Sequence, residues 1–197
     1  MARKYATFSH IQLKPGTSFA RPPEPPRLVH LDDPALAVMT DFQIVHAVTI
    51  RPEVSIDEAL ETMKSRGVRL LLVTDEHDEI LGLITAKDIQ GEKPIKIAQE
   101  SRIAHSAIRV DAVMTPQAAI EVLNMLSVRN AQVGHIVATL KMLARQHALI
   151  VEVDPETKGQ CVRGIFSTTQ ISKQLEVNAA EMVTWDSSLA EIGDDIH

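Results

Sequence analysis

Apolar side chains recur in the middle of the chain with a helical spacing, and they do so twice. Ile56, Ala59, Leu60 and Met63 stand at i, i+3, i+4 and i+7, and Val133, Ile136, Val137 and Leu140 repeat that spacing. Such a pattern lays a single apolar stripe along an α-helix. Each stripe gives way to a β-like run, Val68 to Thr74 and Ala148 to Val153. A turn rich in charge follows, Asp75-Glu76-His77-Asp78 in one place and Asp154-Pro155-Glu156-Thr157-Lys158-Gly159 in the other. Partner strands are then predicted over Ile80 to Thr85 and Cys161 to Ser167, each leading into a further helix. A short apolar stretch precedes each striped helix, Ile44 to Ile50 and Val122 to Val128. The segment Ala118 to Val128 suits a helix equally well, and only the symmetry of the repeat argues for a strand in its second half.

The repeat is also visible as sequence. Ala37-Val38-Met39-Thr40 returns as Ala112-Val113-Met114-Thr115, at the head of the same order of elements. Both copies read β-α-β-β-α, which makes the fold class α/β (α+β). The expected organisation is a Pro-rich N-terminal tail over 1–34, a first repeat over 35–92, a linker over 93–111, a second repeat over 112–176 and an acidic tail over 177–197. Five prolines lie between Pro15 and Pro26. They remove backbone donors and restrict their predecessors, so that piece is expected to be extended or disordered.

Composition changes this picture little. Aromatic residues are 3% of the 197, so the core is built from aliphatic side chains. A formal charge of −6, concentrated in Asp75 to Glu79 and Glu181 to Asp195, gives no electrostatic footprint for nucleic acid. No apolar run reaches the roughly 20 residues of a membrane span, and the N-terminus has no signal-peptide core. Cys161 is the single cysteine, which excludes an internal disulfide and points to a reducing, cytoplasmic setting. Its place in a predicted strand suggests a buried, inert thiol.

Catalytic constellations are not evident. No two of the eight histidines share the i, i+3 or i+4 spacing of metal ligands on a helix, and the glycines form no phosphate loop. No metal site, no catalytic residue and no obligatory cofactor is expected, and the chain does not read as an enzyme. Asp57 and Glu58 open a helix, where negative charge complements the macrodipole.

Two strand-to-helix corners remain, Gly82-Leu83-Ile84-Thr85-Ala86-Lys87-Asp88-Ile89 and Gly164-Ile165-Phe166-Ser167-Thr168-Thr169-Gln170-Ile171. One reading is an ordinary helix start, with Thr or Ser as cap and the i+3 residue answering it. The other is a ligand site. A helix start offers N–H groups to a phosphate, a hydroxyl donates beside them, Asp88 accepts from ribose hydroxyls, and Lys87 adds a positive charge.

Together the Met-Thr opening, the β-α-β-β-α order, the Arg66-Gly67-Val68-Arg69 helix exit, the Asp75 turn and Gly82 to Asp88 resemble a CBS domain. Met114 to Leu175 resembles a second, weaker one, so the pair is similar to a Bateman module. That resemblance implies two repeats packed about a pseudo-twofold axis with two clefts. It implies a regulatory module that binds AMP, ADP or ATP, or S-adenosylmethionine, forms a homodimer and regulates an unknown protein. In the first cleft it implies Thr85, Lys87 and Asp88, with the base against Met125, Leu126 and Ser127 and with Leu70 and Leu71 nearby. In the second it implies Ser167, Thr168 and Gln170, with Ala47, Val48 and Thr49 facing the base.

This sequence departs from the family at several points. Gln170 stands where a ribose-binding Asp is expected, Leu72 and Val151 replace a proline, and Gly67 corresponds to Gln146. The alternative to a ligand sensor is an interaction scaffold, with the faces Ile56–Met63 and Val133–Leu143 serving self-association and a protein partner.

Overall fold

The computed structural model describes residues 28–175, together with Gln12, Lys14, Pro15, Thr17 and Ser18. The remaining Pro-rich positions and the acidic segment from 176 onward lie outside the described residues. In order, the elements are β1 (Thr40–Asp41), β2 (Thr49–Ile50), α1 (Ile56–Arg66), β3 (Leu70–Thr74), β4 (Ile80–Thr85), α2 (Ala86–Gln90), α3 (Glu92–Ser101) and α4 (Val110–Val113). The second half continues with β5 (Thr115–Pro116), β6 (Val122–Asn124), α5 (Met125–Val128), α6 (Val133–Met142), β7 (His147–Val153), β8 (Gln160–Ser167) and α7 (Thr168–Gln174).

The two striped helices form as the spacing predicts. Ile56, Ala59 and Met63 of α1 are buried, as are Val133, Ile136, Val137 and Leu140 of α6. The Ser55 side chain accepts from the Glu58 N–H at 3.2 Å to start α1, and Gly67 at φ 66° ends it. Both charged turns fold around an aspartate. Asp75 Oδ1 accepts from the N–H groups of His77 and Glu79 at 2.9 and 2.8 Å. Asp154 Oδ1 does the same for Glu156 and Thr157 at 2.7 and 2.8 Å.

Two four-stranded sheets result, in the orders β1-β8-β7-β6 and β2-β3-β4-β5. Each sheet therefore takes its edge strand from the other repeat. Thr40 pairs with Ile165 and Asp41 with Gly164, while Thr115 pairs with Leu83 and Pro116 with Gly82. The registers are equivalent, and this is the pseudo-twofold relation of the halves. Two glycines permit the crossing. A Cβ at Gly82 would stand 2.5 Å from the Thr115 carbonyl oxygen, and one at Gly164 2.5 Å from that of Thr40. Arg163 fixes the first crossing by pairing with Asp41, and it also approaches Glu152 at 3.5 Å.

The cores follow the crossing and not the expected boundaries. Val29, Ala35 and Val38 pack with Met125, Ile136, Phe166 and Ile171 of the second half. Ile108, Val110 and Val113 pack with Ile56, Leu71 and Ile84 of the first. The expected linker 93–111 thus contains α3 and supplies core side chains. The fold also reaches into the expected tail, since Val29 is 1% exposed and bridges to Leu175. A third cluster, Leu70, Leu72 and Leu149 with Leu83, Ile120 and Ile165 against them, joins the two sheets.

Three further expectations are corrected. The strand Ile44–Ile50 is reduced to β2. In the second copy the strand stops at Asn124, whose side chain accepts from the Leu126 N–H at 2.8 Å and turns Met125–Val128 into helix. Cys161 is exposed, because β8 begins beyond the cover of the core and its burial alternates only from Gly164 onward.

Candidate functional site

Two clefts flank the cluster that joins the sheets. Leu70 and His147 open β3 and β7 at equivalent positions, since Leu70 pairs with Thr85 and His147 with Ser167. Both residues line both clefts.

The first cleft encloses about 240 Å³. Leu70, Leu83, Thr85, Lys87 and Asp88 come to it from the first repeat, as expected for all of these but Leu83. Across from them stand Ile120, Glu121 and the segment Ala144 to His147. Met125, Leu126, Ser127 and Leu71 do not line it. The first three lie past the end of β6, in α5, so the chain facing the cleft is the stretch before the strand. Leu71 is excluded by alternation: neighbouring side chains on a strand point to opposite faces, and Leu71 is 0% exposed beneath α1. Parity along Leu70-Leu71-Leu72 was the available signal for that exclusion.

At the α2 corner the helix-cap reading of the sequence is seen directly. The Thr85 N–H and hydroxyl donate to Asp88 Oδ2 at 2.8 and 2.6 Å, and the Asp88 N–H donates to Thr85 Oγ1 at 3.2 Å. This capping box orients the carboxylate and uses only Oδ2. Oδ1 takes no part in it. Charge in this cleft is balanced, with Lys87 and Arg145 against Asp88 and Glu121, and Arg145 pairs with Glu121 at 3.0 Å.

The second cleft is larger, about 610 Å³. Ser167, Gln170 and Val48 line it as expected, along with Thr169, Ile165, Phe42 and His46. Ala47, Thr49 and Thr168 do not. Ala47 packs into the cluster between the sheets, Thr49 is exposed elsewhere, and Thr168 is 8% exposed with its N–H donating to the Gln146 carbonyl. No capping box forms here: Ser167 makes no side-chain cap bond, and Gln170 Nε2 donates to Gln174 Oε1 at 3.1 Å.

What sequence reasoning missed in this cleft is its charge. Arg66, Arg69 and Lys173 line it, all exposed, and no carboxylate lines it among the described residues. Arg66 and Lys173 end α1 and α7, where a cation is favourable on its own account. Arg69 has no such explanation. The signal was the Arg66-Gly67-Val68-Arg69 helix exit, which places two guanidinium groups at one mouth.

His147 sits between the clefts, and its pKa is lowered from 6.5 to about 4. Burial is the main cause, the charge of Arg69 adds to it, and Asp88 opposes it. Gly67 has its structural counterpart in Ala144, not in Gln146: both follow the striped helix with positive φ, 66° and 49°. Among the described residues no group of His, Cys, Asp and Glu could hold a metal ion, and no helix is long and apolar enough to cross a membrane.

Comparison with known proteins agrees with this architecture. The family model of the CBS domain matches residues 29–92. An uncharacterized conserved protein from Pyrococcus horikoshii has the same fold, at 22% identity over 75% of this chain and 98% of its own, with a TM-score of 0.51. A CBS-domain-containing protein from Agrobacterium tumefaciens gives 22% identity over 64% and 82%, at a TM-score of 0.48. CBSX2, solved in complex with AMP, gives 19% over 77% and 98%, at 0.47. No curated protein matches the chain. The chain thus carries a CBS domain match over its first repeat, and its second half repeats the same order of elements.

Proposed function

We propose that the chain is a regulatory module that senses adenosyl ligands in the clefts between its repeats. The observation that carries this reading is the Asp88 carboxylate, held by Thr85 at the wall of the first cleft with Oδ1 outside the box. A ribose hydroxyl donates to that oxygen, the base lies among Leu70, Leu83, Ile120 and Leu149, and Lys87 and Arg145 stand beside a phosphate or carboxylate.

The two clefts suit different parts of such ligands. The first is small and charge-balanced, which favours AMP or S-adenosylmethionine. The second is larger and purely cationic, which favours the phosphates of ADP or ATP on Arg66, Arg69 and Lys173. Gln170 there supplies a neutral amide, so recognition shifts from ribose to phosphate.

The module is regulatory and not catalytic in this reading. His147 lies opposite Ser167 on the neighbouring strand, yet an imidazole with its pKa near 4 is too weak a base to activate a hydroxyl at neutral pH. A homodimer in the cytoplasm that regulates a partner protein completes the proposal; a monomeric mass by light scattering at micromolar concentration contradicts the dimer.

Calorimetric titration with AMP, ATP and S-adenosylmethionine tests the function. Asp88→Ala is expected to weaken binding in the first cleft by about 1.5–3 kcal/mol, as for a hydrogen bond to a charged group. No heat and no thermal shift with any of the three refutes the sensor. A partner protein retained by Asp88→Ala without nucleotide supports the scaffold reading instead.

A further inference from the structure

The second cleft does not end at its cations. Between the chain 36–45, α5, α7 and Arg163 of β8 lies a further chamber of about 450 Å³. Thr40, Val45 and Gln170 line both the chamber and the second cleft, so the two are neighbouring compartments of one hollow.

Their chemistry differs. In the cleft, none of Arg66, Arg69 and Lys173 makes an ion pair among the described residues, and cations collected in one mouth repel each other. In the chamber each charge is already matched: Arg129 pairs with Glu152 at 2.6 Å, and Arg163 pairs with Asp41. Its two amides bond each other, Gln170 Nε2 donating to Gln174 Oε1 at 3.1 Å. What the chamber offers is therefore aliphatic, with Val38, Met39 and Met125 inside and Leu36, Ile44 and Val45 at the rim. Those last three are 40%, 65% and 45% exposed, a cluster of apolar surface left to water at a cavity mouth. No aromatic ring lines the chamber, so a nucleobase has nothing there to stack on.

Part of this wall is an insertion. Thr49 and Val122 pair equivalently, with Leu72 and Leu149, yet α1 starts seven positions after Thr49 and α6 eleven after Val122. The additional positions accommodate α5, which brings Met125 into the chamber and sets Arg129 beside it.

We propose that the second cleft and this chamber together bind an amphipathic anion, with its phosphate on Arg66, Arg69 and Lys173 and an aliphatic tail in the chamber. This rests on the reading of the second cleft as a phosphate site, and it adds the group that the phosphate carries. A plain nucleotide leaves the chamber to water, whereas a tail displaces that water and covers Leu36, Ile44 and Val45.

Calorimetric titration of the full chain with n-alkyl phosphates, ethyl to octyl and below their micelle concentrations, tests this. Affinity is expected to rise about two- to fourfold per methylene until the chamber is full. Ile44→Ser combined with Val45→Ser is expected to flatten that rise and to leave inorganic tripolyphosphate binding unchanged. Both side chains are exposed, so the fold, checked by circular dichroism, tolerates the change. Arg69→Gln combined with Lys173→Gln is expected to weaken every member by about tenfold and to keep the rise. Met142 is 77% exposed and lies outside the chamber, so Met142→Ser is expected to change nothing.

Alkyl phosphates that bind without regard to chain length overturn the proposal and leave the phosphate reading standing. Tripolyphosphate and alkyl phosphates that all fail to bind overturn both. Octanol held as tightly as octyl phosphate overturns the joint site, as does a loss from Met142→Ser equal to that from the rim variant. Octanoyl-coenzyme A held more tightly than octyl phosphate identifies a tailed nucleotide, and the reverse a simple alkyl phosphate; either result supports the amphipathic anion.

Discussion

His147 sets a pH dependence of stability that can be worked out from its surroundings. Its imidazole is largely buried where β7 meets the cluster between the sheets, with Arg69 near it, and its pKa is held at about 4 against 6.5 when free. The folded state therefore holds it neutral, while the unfolded chain takes up a proton as pH falls below 6.5. Stability from the neutral ring is fully present above 6.5 and drains away as pH falls toward 4. At about 1.4 kcal/mol per pH unit, the loss is about 2 kcal/mol by roughly pH 5 and about 3 kcal/mol by roughly pH 4.

Chemical denaturation across that range measures it, with His147→Gln as the comparison, since an amide keeps polarity but does not titrate. The parent is expected to lose stability steeply from about pH 6.5 downward, and the variant to be nearly flat until carboxylates protonate. Asp75 and Asp154 have pKa values lowered below 3.8, chiefly by backbone N–H bonds within their turns. Their contribution is present above that value and is lost below it, so it falls beneath the His147 window. Equal slopes for parent and variant between about pH 6.5 and 5 refute the assignment.

Other consequences are read the same way. Ala144 adopts φ 49° where Gly67 serves in the first copy; Ala144→Gly relieves the left-handed strain, offset by chain entropy, and is expected to stabilise by about 0.5–1 kcal/mol in urea titration. Gly164→Ala and Gly82→Ala each drive a Cβ against the crossing strand; each is expected to cost about 1–3 kcal/mol, read as a lowered melting temperature. Asp88→Ala also removes the capping box of α2 and is expected to cost about 1 kcal/mol of stability even with no ligand present.

Much of the fold was legible because the repeat wrote it twice. The stripes of α1 and α6, the Asp75 and Asp154 turns and the corners at Thr85 and Ser167 all rest on local chemistry, and local chemistry shows in sequence. The edge strands were not legible. Thr40–Asp41 and Thr115–Pro116 are two residues each, below any periodicity, and their partners lie far along the chain. Asn124 ended a strand that symmetry prolonged, which displaced Met125, Leu126 and Ser127 from the first cleft. The cationic mouth of the second cleft escaped notice because Lys173 joins Arg66 and Arg69 only in three dimensions.

The crossing also decides what counts as a unit. A piece cut at 35–92 keeps Ala35 and Val38, whose packing partners lie in the second half, and discards Ile108, Val110 and Val113 from its own core. Each of those three is no more than 2% exposed, and losing a buried aliphatic side chain costs about 2–5 kcal/mol even when reduced only to alanine. A small domain has about 5–15 kcal/mol in all, so that piece is expected to stay unfolded. A piece spanning 43–117 retains the first core together with β5, and lacks only partners across the sheet-joining cluster. Circular dichroism with urea titration separates the two: cooperative unfolding of 35–92 contradicts the exchange, whereas a folded 43–117 supports it. Neither piece forms a cleft, because Leu70 faces Ile120 and His147 only in the intact pair. The clefts therefore depend on the intact pair, whereas each sheet depends on the edge strand it takes from the other repeat.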